Sequence, residues 1–332
     1  MQSLEDFQYV VCPDCWGQLT LSQRRKNGER EQQAVLECAA CFKGFPIIDR
    51  VLRCAVLKEH GRTGSSYGFV WKGFWSGLFD RKNVFGLSFE DAGRYFLSSL
   101  GLEKSELKDL KVLDAGTGSG RIPFAIAGWG CDVYAVDVHE SLPVIAEQFT
   151  QWPRVRFIQA DLMKLPFKDQ VFDVVWSSGV LMITADPRGA FQTLVKRVKS
   201  GGRLFVSLYS KDFHHYRLFR KLLPFAHRLP PILNYAIAGL VSIPLYTIFN
   251  STLWMVRRKR SSPPYTWLGY TFEDAEHKSY LSILLNVFDQ LVPTFQREYS
   301  VPEVLEWFNS SGFHNVTVTE RIGMTAVRGV KD

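Results

Sequence analysis

The chain has 332 residues, of which 46% are hydrophobic and 22% are charged, and its formal net charge is +7. This balance excludes a disordered or collagen-like chain and provides enough apolar side chains for two domains and an insertion. The first 20 residues contain acidic residues and lack the apolar core of a secretory signal. We therefore expect a cytoplasmic protein that keeps its thiols reduced.

Four cysteines near the N-terminus form two C-x-x-C pairs, Cys12 with Cys15 and Cys38 with Cys41. Each pair on a tight turn can present two thiolates to one tetrahedral Zn²⁺, whereas two disulfides are the competing interpretation. A reducing compartment favours zinc, and four cysteines would close the coordination shell of a structural ion. The following stretch, 42–49, resembles the end of a zinc ribbon of the tRNA-methyltransferase-activator type.

An aromatic segment follows at residues 65–71, Ser-Ser-Tyr-Gly-Phe-Val-Trp. It resembles a short segment that covers the cofactor in methyltransferases carrying this ribbon. The resemblance implies that Tyr67 contacts the cofactor, and ordinary aromatic core packing is the alternative.

The most informative segment is 111–120, Lys-Val-Leu-Asp-Ala-Gly-Thr-Gly-Ser-Gly. A buried strand, a glycine-rich turn and a helix N-terminus form a nucleotide-binding corner of an α/β sheet. Arg121 stands where a dinucleotide fingerprint needs glycine, and the sequence contains no G-x-x-x-x-G-K-[ST] phosphate loop. The pattern D-x-G-x-G-x-G resembles the first motif of the class I S-adenosylmethionine-dependent methyltransferases, in which this loop passes under the amino-acid end of the cofactor. That resemblance implies a cofactor-binding set of Asp114, Ala115, Gly116, Gly118 and Gly120.

Acidic residues end the next two predicted strands, at Asp137 and Asp161. A carboxylate at the first position can accept hydrogen bonds from both ribose hydroxyls. At the second position the family has an acid or amide near the adenine amino group. Helix N-capping is the alternative role of both acids. The expected cofactor set also includes Val138, Leu162 and Ser177.

Residues 171–179 and 200–206 match the fourth strand of that family and the turn into its fifth, and 313–320 and 323–329 are typical of closing antiparallel strands. We predict an α/β fold with a Rossmann-like, seven-stranded methyltransferase sheet, an N-terminal zinc ribbon and a helical insertion after the fifth strand. The expected domains are a zinc ribbon at 1–56, a helical and aromatic connector covering the cofactor at 57–107, a methyltransferase core at 108–210 and 300–332, and a substrate lid at 211–299.

The insertion carries the excess charge, because residues 211–260 contain nine Lys or Arg and one acid. The basic residues flank the uncharged run 229–256, which its Pro, Asn and Ser residues are expected to interrupt. The run is interpreted as a lid packed on the catalytic domain or a second subunit, as membrane-surface helices meeting anionic headgroups, or as a membrane span. Ligands bind beyond the carboxyl ends of the strands, so this insertion is expected to select the acceptor.

Methyl transfer needs an aligned nucleophile, exclusion of water and, for a hydroxyl or amine acceptor, a general base. Related ribbon-bearing enzymes often have two histidines after Gly-Val-Leu in the fourth-strand loop, but Met182 and Ile183 follow Leu181 here. The candidate bases are therefore Tyr209 and His214, after the fifth strand, and Asp289 and Tyr299, in a segment resembling one that precedes the last helix of the family.

Together these features predict a cytoplasmic or peripherally membrane-bound methyltransferase that uses S-adenosyl-L-methionine and a structural zinc ion, with a small-molecule, lipid or saccharide-precursor acceptor. A homo-oligomer is also expected. RNA methylation is one alternative, but the excess charge lies beside an apolar run rather than on a polar stripe with stacking aromatics. A non-catalytic, cofactor-bound scaffold or activator of a partner is the other.

Overall fold

The computed structural model describes residues 7–25, 32–54, 61–79, 88–212, 221, 224–226, 228–259, 279–319 and 323–332. The strands are β1 Leu19–Arg25, β2 Gln32–Cys38, β3 Gly44–Ile48, β4 Val51–Arg53, β5 Lys111–Ala115, β6 Asp132–Asp137, β7 Val155–Gln159, β8 Phe172–Ser178, β9 Val198–Tyr209, β10 Phe313–Thr319 and β11 Met324–Lys331. The α-helices are α1 Gly61–Ser76, α2 Phe89–Leu100, α3 Arg121–Ile126, α4 Leu142–Glu147, α5 Pro187–Arg197, α6 Pro231–Lys259, α7 Tyr280–Asp289 and α8 Val301–Asn309.

Seven strands form the sheet that carries the site, in the order β7-β6-β5-β8-β9-β11-β10. The first five are parallel, whereas β11 pairs antiparallel with both β9 and β10. Helices cover both faces, so the central strands consist of nearly continuous apolar runs. Val112, Leu113, Val174 and Val175, for example, are all almost fully buried. The predicted α/β methyltransferase fold is confirmed.

The N-terminal module extends this same sheet. β1 and β2 form an antiparallel hairpin, β3 pairs with β2, and β4 pairs antiparallel with β3 and parallel with β7. The sheet therefore has eleven strands among the described residues. Phe7 and Val10 also pack in one hydrophobic cluster with Leu165 and Phe167, in the connection between β7 and β8. The N-terminal module thus forms one edge of the same sheet.

The insertion after β9 differs from the sequence-based prediction. Residues 231–259 form one helix, α6, and the expected interruption by prolines is wrong. Pro231 lies at the helix start, where a backbone N–H would have no partner within the helix, so the missing N–H of proline costs nothing. Pro244 lies inside the helix and removes one backbone hydrogen bond. The segment Pro231–Ile248 is long and apolar enough to cross a membrane by length and composition, with a mean hydropathy of 1.4.

Candidate active site

The glycine loop after β5 is fastened to the neighbouring strand β6. The backbone N–H groups of Gly116 and Thr117 both donate to the carbonyl oxygen of Val136, at 2.8 and 2.9 Å. Gly116 and Gly118 have φ angles of +89° and +53°, which disfavour residues with a side chain. A Cβ at Gly118 would also lie 3.0 Å from the indole of Trp71. The loop is therefore a narrow backbone cradle at the carboxyl edge of the sheet.

Asp137 ends β6 beside this cradle and binds its backbone. The Gly118 N–H donates to Oδ2 at 2.8 Å, and the Val138 N–H donates to Oδ1 at 2.7 Å. The Asp137 side chain is 15% exposed, so the carboxylate keeps one open side toward the edge of the sheet. Buried His139 supports the same loop, because its Nε2 lies 3.0 Å from the carbonyl oxygen of Gly118.

Asp114, at the end of β5, is a buried acid whose Oδ2 has no hydrogen-bond partner among the described residues. Burial raises its pKa to about 7, an effect that the nearby Thr117 side chain and the positive charge of Arg121 oppose. An unpartnered buried carboxylate oxygen beside a glycine cradle fits a ligand that presents a cationic or N–H donor group. The Asp114 carboxylate and the glycine cradle therefore fit the amino-acid end of S-adenosylmethionine.

The remaining predicted cofactor residues lie on the same edge, with local roles in the fold. Asp161 Oδ1 accepts from the Met163 N–H at 2.9 Å and caps a short 3₁₀ turn, the N-cap role considered as the alternative. Leu162, in that turn, is buried. The Ser177 hydroxyl donates to the Ala115 carbonyl oxygen at 2.9 Å and joins the ends of β8 and β5.

Helix α1 lies over the glycine loop with its aromatic residues. The Trp75 Nε1–H donates to the Ser119 carbonyl oxygen at 3.1 Å, and the Trp71 ring contacts Gly118. Tyr67 stacks on Trp71 with ring centroids 6.3 Å apart. The aromatic segment therefore packs in the core with Trp71 beside the cradle, and the contact of Tyr67 with a cofactor stays a prediction.

A second acidic centre faces Tyr67. The Tyr67 hydroxyl donates to Asp289 Oδ1 at 3.4 Å, and the Tyr209 hydroxyl donates to Asp289 Oδ2 at 3.0 Å. The Gln290 amide Nε2 donates to Tyr209 Oη at 3.1 Å, and Gln296 Nε2 donates to Gln290 Oε1 at 2.6 Å. We call these five buried residues the Asp289 network. It joins α1, β9 and the segment that begins at the C-terminus of α7.

Burial raises the pKa of Asp289 to about 6, although hydrogen bonds from Tyr209, Tyr67 and Gln290 oppose this effect by stabilising the carboxylate. Burial, together with the negative charges of Asp289 and Asp137, holds the pKa of Tyr67 well above its ordinary value. Asp289 is therefore ionised above about pH 6, beside the neutral phenol of Tyr67. A carboxylate in this state can accept a proton at neutral pH.

Of the other two candidate bases, only Tyr299 is described by the structure, and its side chain packs outside this network. The Tyr299 ring packs on Trp307, with centroids 4.9 Å apart, and its backbone N–H donates to the Tyr209 carbonyl oxygen. Tyr299 therefore supports the strand that carries Tyr209 from the other side. His214 lies outside the residues that the structure describes.

The four N-terminal cysteines converge, and their sulfur atoms all lie within 4.8 Å of one another. Their two turns match, because the Trp16 N–H donates to the Cys12 carbonyl oxygen at 2.9 Å and the Phe42 N–H donates to the Cys38 carbonyl oxygen at 3.0 Å. Trp16 and Phe42 also share left-handed φ angles of 62° and 61°. The backbone N–H of Cys41, aided by that of Ala40, lowers the pKa of Cys38 to about 6 against the opposing effect of burial. Four converging thiols form a soft, tetrahedral donor set that fits zinc.

Comparison with known proteins identifies the core of this architecture. Residues 113–206 match the methyltransferase domain family. The chain contains a methyltransferase domain of the class I fold. The predicted resemblance is therefore confirmed for the domain that carries the glycine cradle.

Several curated methyltransferases are similar to this domain. A demethylmenaquinone methyltransferase of Clavibacter sepedonicus is 35% identical over 101 residues, which cover 30% of this chain and 41% of that protein. A ubiquinone biosynthesis O-methyltransferase of Coxiella burnetii is 31% identical over 112 residues, covering 33% of this chain and 48% of that protein. The chain therefore spans less than half the length of these curated relatives.

Solved methyltransferase structures resemble a larger part of the chain at low identity. One is the complex between the Haloferax volcanii Trm112 methyltransferase activator and a methyltransferase, with a TM-score of 0.48, 17% identity and coverage of 80% of this chain and 96% of that chain. Another is the Burkholderia thailandensis 1,6-didemethyltoxoflavin-N1-methyltransferase with bound S-adenosylhomocysteine, with a TM-score of 0.44, 14% identity and coverage of 93% and 99%.

Sequence reasoning missed several residues that build the methyltransferase site. His139 lies two positions after Asp137 and holds the glycine loop, while Gln159 at the end of β7 donates to the carbonyl oxygens of Val138 and His139. Both residues lie at or just after the end of a strand, and that position in the sequence could have identified them. Gln290 had no comparable signal, because its partner Tyr209 is 81 residues away, and Gln296 joins the network only through Gln290.

Proposed function

We propose that this protein is an S-adenosylmethionine-dependent methyltransferase whose cofactor is held by the glycine cradle, Asp114 and Asp137. When bound, S-adenosylmethionine supplies an activated methyl group on a sulfonium sulfur. The observation that carries the proposal is the meeting of the cradle and the Asp289 network through α1, since Trp71 contacts Gly118 and Tyr67 contacts Asp289. Asp137 would accept the ribose hydroxyls, and Asp114 would face the cationic amino-acid end.

The chain itself provides a base for the acceptor. Asp289 is ionised near neutral pH, and its longest hydrogen bond, 3.4 Å from Tyr67, is the one an acceptor hydroxyl would replace most readily. Tyr209 and Gln290 would then keep the carboxylate oriented while Asp289 takes the acceptor proton. Burial of this centre excludes water that would compete with the acceptor.

The surroundings favour a hydrophobic acceptor. Phe288, next to the base, packs against Phe69 and Tyr235 with ring centroids 5.8 Å away in each case. Met182 and Ile183 replace the polar histidines of related enzymes on the neighbouring loop. The two similar curated proteins described above are named for demethylmenaquinone methylation and ubiquinone biosynthesis. We therefore infer a lipophilic small molecule, with a ring hydroxyl of the hydroquinone kind as the first candidate.

The purified chain, given S-adenosylmethionine with a labelled methyl group, tests this function. Candidate acceptors are lipophilic hydroquinones lacking one methyl group, and bulk tRNA and rRNA serve as the comparison. We expect the label in the small-molecule fraction. Label only in RNA would replace the proposal with RNA methylation. Cofactor binding without transfer to any acceptor, combined with activation of a partner enzyme, would replace it with a scaffold role.

We further propose that residues 1–56 form a structural zinc module, with Cys12, Cys15, Cys38 and Cys41 as ligands. Since β4 pairs with β7, loss of the metal should disturb the edge of the catalytic sheet as well as the ribbon. Metal analysis should give one zinc per chain, and Cys38→Ser should lose the zinc and lower the Tm. Cys131→Ala, at a buried thiol outside the cluster, should retain the zinc. Zinc-free wild-type protein with an unchanged Tm would contradict the assignment.

A further inference from the structure

Helix α6 has the reverse of the usual polarity of a surface helix. Its buried stripe consists of Asn234, Ala238 and Ser242, which are four residues apart and share one face. The Asn234 amide Nδ2 donates to the Ala226 carbonyl oxygen at 3.0 Å, and the Ser242 hydroxyl donates to the Ala238 carbonyl oxygen at 2.6 Å. The polar side chains of this stripe are thus directed inward, and each donates a hydrogen bond to a backbone carbonyl of the protein.

The opposite face of α6 is apolar and exposed. Leu240 is 70% exposed and Ile243 is 53% exposed, and only 17% of the segment Pro231–Ile248 is buried. At about 100° per residue, the exposed positions cover about half of the helix circumference. A water-facing helix normally has the opposite arrangement, so this surface is adapted to an apolar environment. The exposed face comprises Ile232, Leu233, Ile237, Leu240, Val241, Ile243 and Ile248.

Basic residues flank this apolar face and indicate what covers it. Lys221 and Arg228 are exposed before the helix, and the sequence ends α6 with Arg257, Arg258 and Lys259. With nine basic residues and one acidic residue in 211–260, a second copy would bring two strongly positive segments together. That like-charge contact opposes self-association, whereas an anionic phospholipid surface complements the charge.

Contacts with α7 keep the helix on the protein rather than across a bilayer. The Tyr280 hydroxyl donates to the Gly239 carbonyl oxygen at 2.9 Å, and the Tyr246 and Tyr280 ring centroids are 6.1 Å apart. Nearer the helix start, Tyr235 packs on Phe288, the residue before Asp289. One side of α6 is therefore committed to the helix that carries the proposed base. The other side, with Leu240 and Ile243 more than half exposed, suits a membrane interface.

We propose that α6 docks on the surface of an anionic phospholipid bilayer. The apolar face lies at the boundary between headgroups and acyl chains, and the exposed Lys221 and Arg228 meet the lipid phosphates. Docking does not depend on methyl transfer. If the proposed function also holds, this orientation presents the Asp289 network to acceptors dissolved in the lipid.

Vesicle flotation of the full chain tests the docking. Wild-type protein should float with phosphatidylcholine vesicles that contain about one third phosphatidylglycerol, and more weakly with phosphatidylcholine alone. The double variant Leu240→Asp/Ile243→Asp should reduce this binding by at least about tenfold, because it introduces two charges into the buried interface. Val318→Asp, which changes an exposed apolar residue on β10, is the matched control and should float like wild type.

A second variant separates charge from hydrophobic burial. Lys221→Glu/Arg228→Glu should weaken binding to anionic vesicles by about fivefold or more per residue, and should leave binding to neutral vesicles unchanged. Added salt should reproduce this loss in the wild type. Wild-type protein that does not float, or a Leu240→Asp/Ile243→Asp variant that floats like wild type, would overturn the proposal. A wild-type dimer that this variant splits, without vesicle binding, would assign the face to a second copy instead.

Titration of the same variants with S-adenosylhomocysteine distinguishes the two proposals. Retained cofactor binding with lost flotation would show that docking is a separate property of α6. Flotation without cofactor binding in the wild type would uphold the docking and count against the proposed function.

Discussion

The two halves of the candidate site are built in different ways. The cofactor half occupies a short stretch, where the Gly118 N–H reaches Asp137 across 19 residues of sequence. The acceptor half brings Asp289 to Tyr67 across 222 residues and to Tyr209 across 80 residues. The first half consists mainly of backbone geometry at strand ends, and the second consists of side chains brought together by packing. The residues of the acceptor half can therefore change while those of the cofactor half stay the same.

The acids in the two halves also differ electrostatically. Asp137 is bound by backbone N–H groups and remains partly exposed. Asp114 and Asp289 are buried, and burial raises their pKa values to about 7 and about 6. Hydrogen bonding to the fixed backbone suits a binding residue, whereas a raised pKa near neutrality suits a group that exchanges a proton or meets a cation.

The largest expected effect is on the acceptor half, from Asp289→Asn. It should lower kcat by roughly 10²- to 10⁴-fold, because the amide cannot accept the acceptor proton. The Kd of S-adenosylhomocysteine should change little, since Asp289 belongs to the other half. Steady-state kinetics and calorimetry check the two quantities, with Glu306→Gln on the exposed side of α8 as the control. A kcat equal to that of wild type would remove Asp289 from the chemistry.

The next largest effect is on the cofactor half, from Asp137→Ala. Loss of a carboxylate that accepts two hydroxyl hydrogen bonds should weaken cofactor binding by about 100-fold, while kcat at saturating cofactor falls much less. Calorimetric titration measures the Kd. The matched control is Asp109→Ala, which removes an exposed acid just before β5. Equal affinities for the two variants would mean that Asp137 does not hold the ribose.

A smaller effect should come from pH acting on Asp114. Its carboxyl has a pKa of about 7 without ligand and becomes protonated as the pH falls below that value. The protonated form loses its attraction for a cation, so cofactor affinity should fall by up to about tenfold per pH unit below 7. The Asp114→Asn variant should bind the cofactor more weakly than wild type, and its affinity should depend little on pH. A wild-type profile that is flat between pH 5 and pH 8 would contradict this role.

The smallest predicted effect is a shift of the acid limb of the kcat profile by Tyr209→Phe. In the wild type, activity should fall as the pH drops through about 6, because Asp289 becomes protonated. Removing the Tyr209 hydroxyl removes a donor that stabilises the carboxylate, so the limb should move upward by roughly one pH unit. Tyr299→Phe, whose ring packs on Trp307, should leave the limb in place. A downward shift in Tyr209→Phe would be inconsistent with the network.

The sequence predicted the cofactor half better than the acceptor half for a physical reason. Strand, glycine turn and acid follow one another locally, so the resemblance to the family's motifs could name Asp114, Gly118 and Asp137 from the sequence. Asp289 and Tyr209 were named as candidates, but their hydrogen bond and the role of Gln290 depend on how α7 packs against β9.

The insertion shows the same limit for secondary structure. Pro, Asn and Ser suggested interruptions in 229–256, yet α6 runs through Pro244 as one helix. Asn234 and Ser242 lie on the face toward the protein, where a polar side chain finds a carbonyl partner. The hydrophobic periodicity could not identify that face, because apolar residues occupy most of the remaining positions around the helix.

The most direct test of the account is calorimetric titration of the wild-type chain with S-adenosylhomocysteine, alongside NAD and ATP. We predict a saturable heat with S-adenosylhomocysteine at one site per chain, and none with NAD or ATP. No heat with S-adenosylhomocysteine, together with saturable binding of either nucleotide, would contradict the assignment of the glycine cradle and its acids.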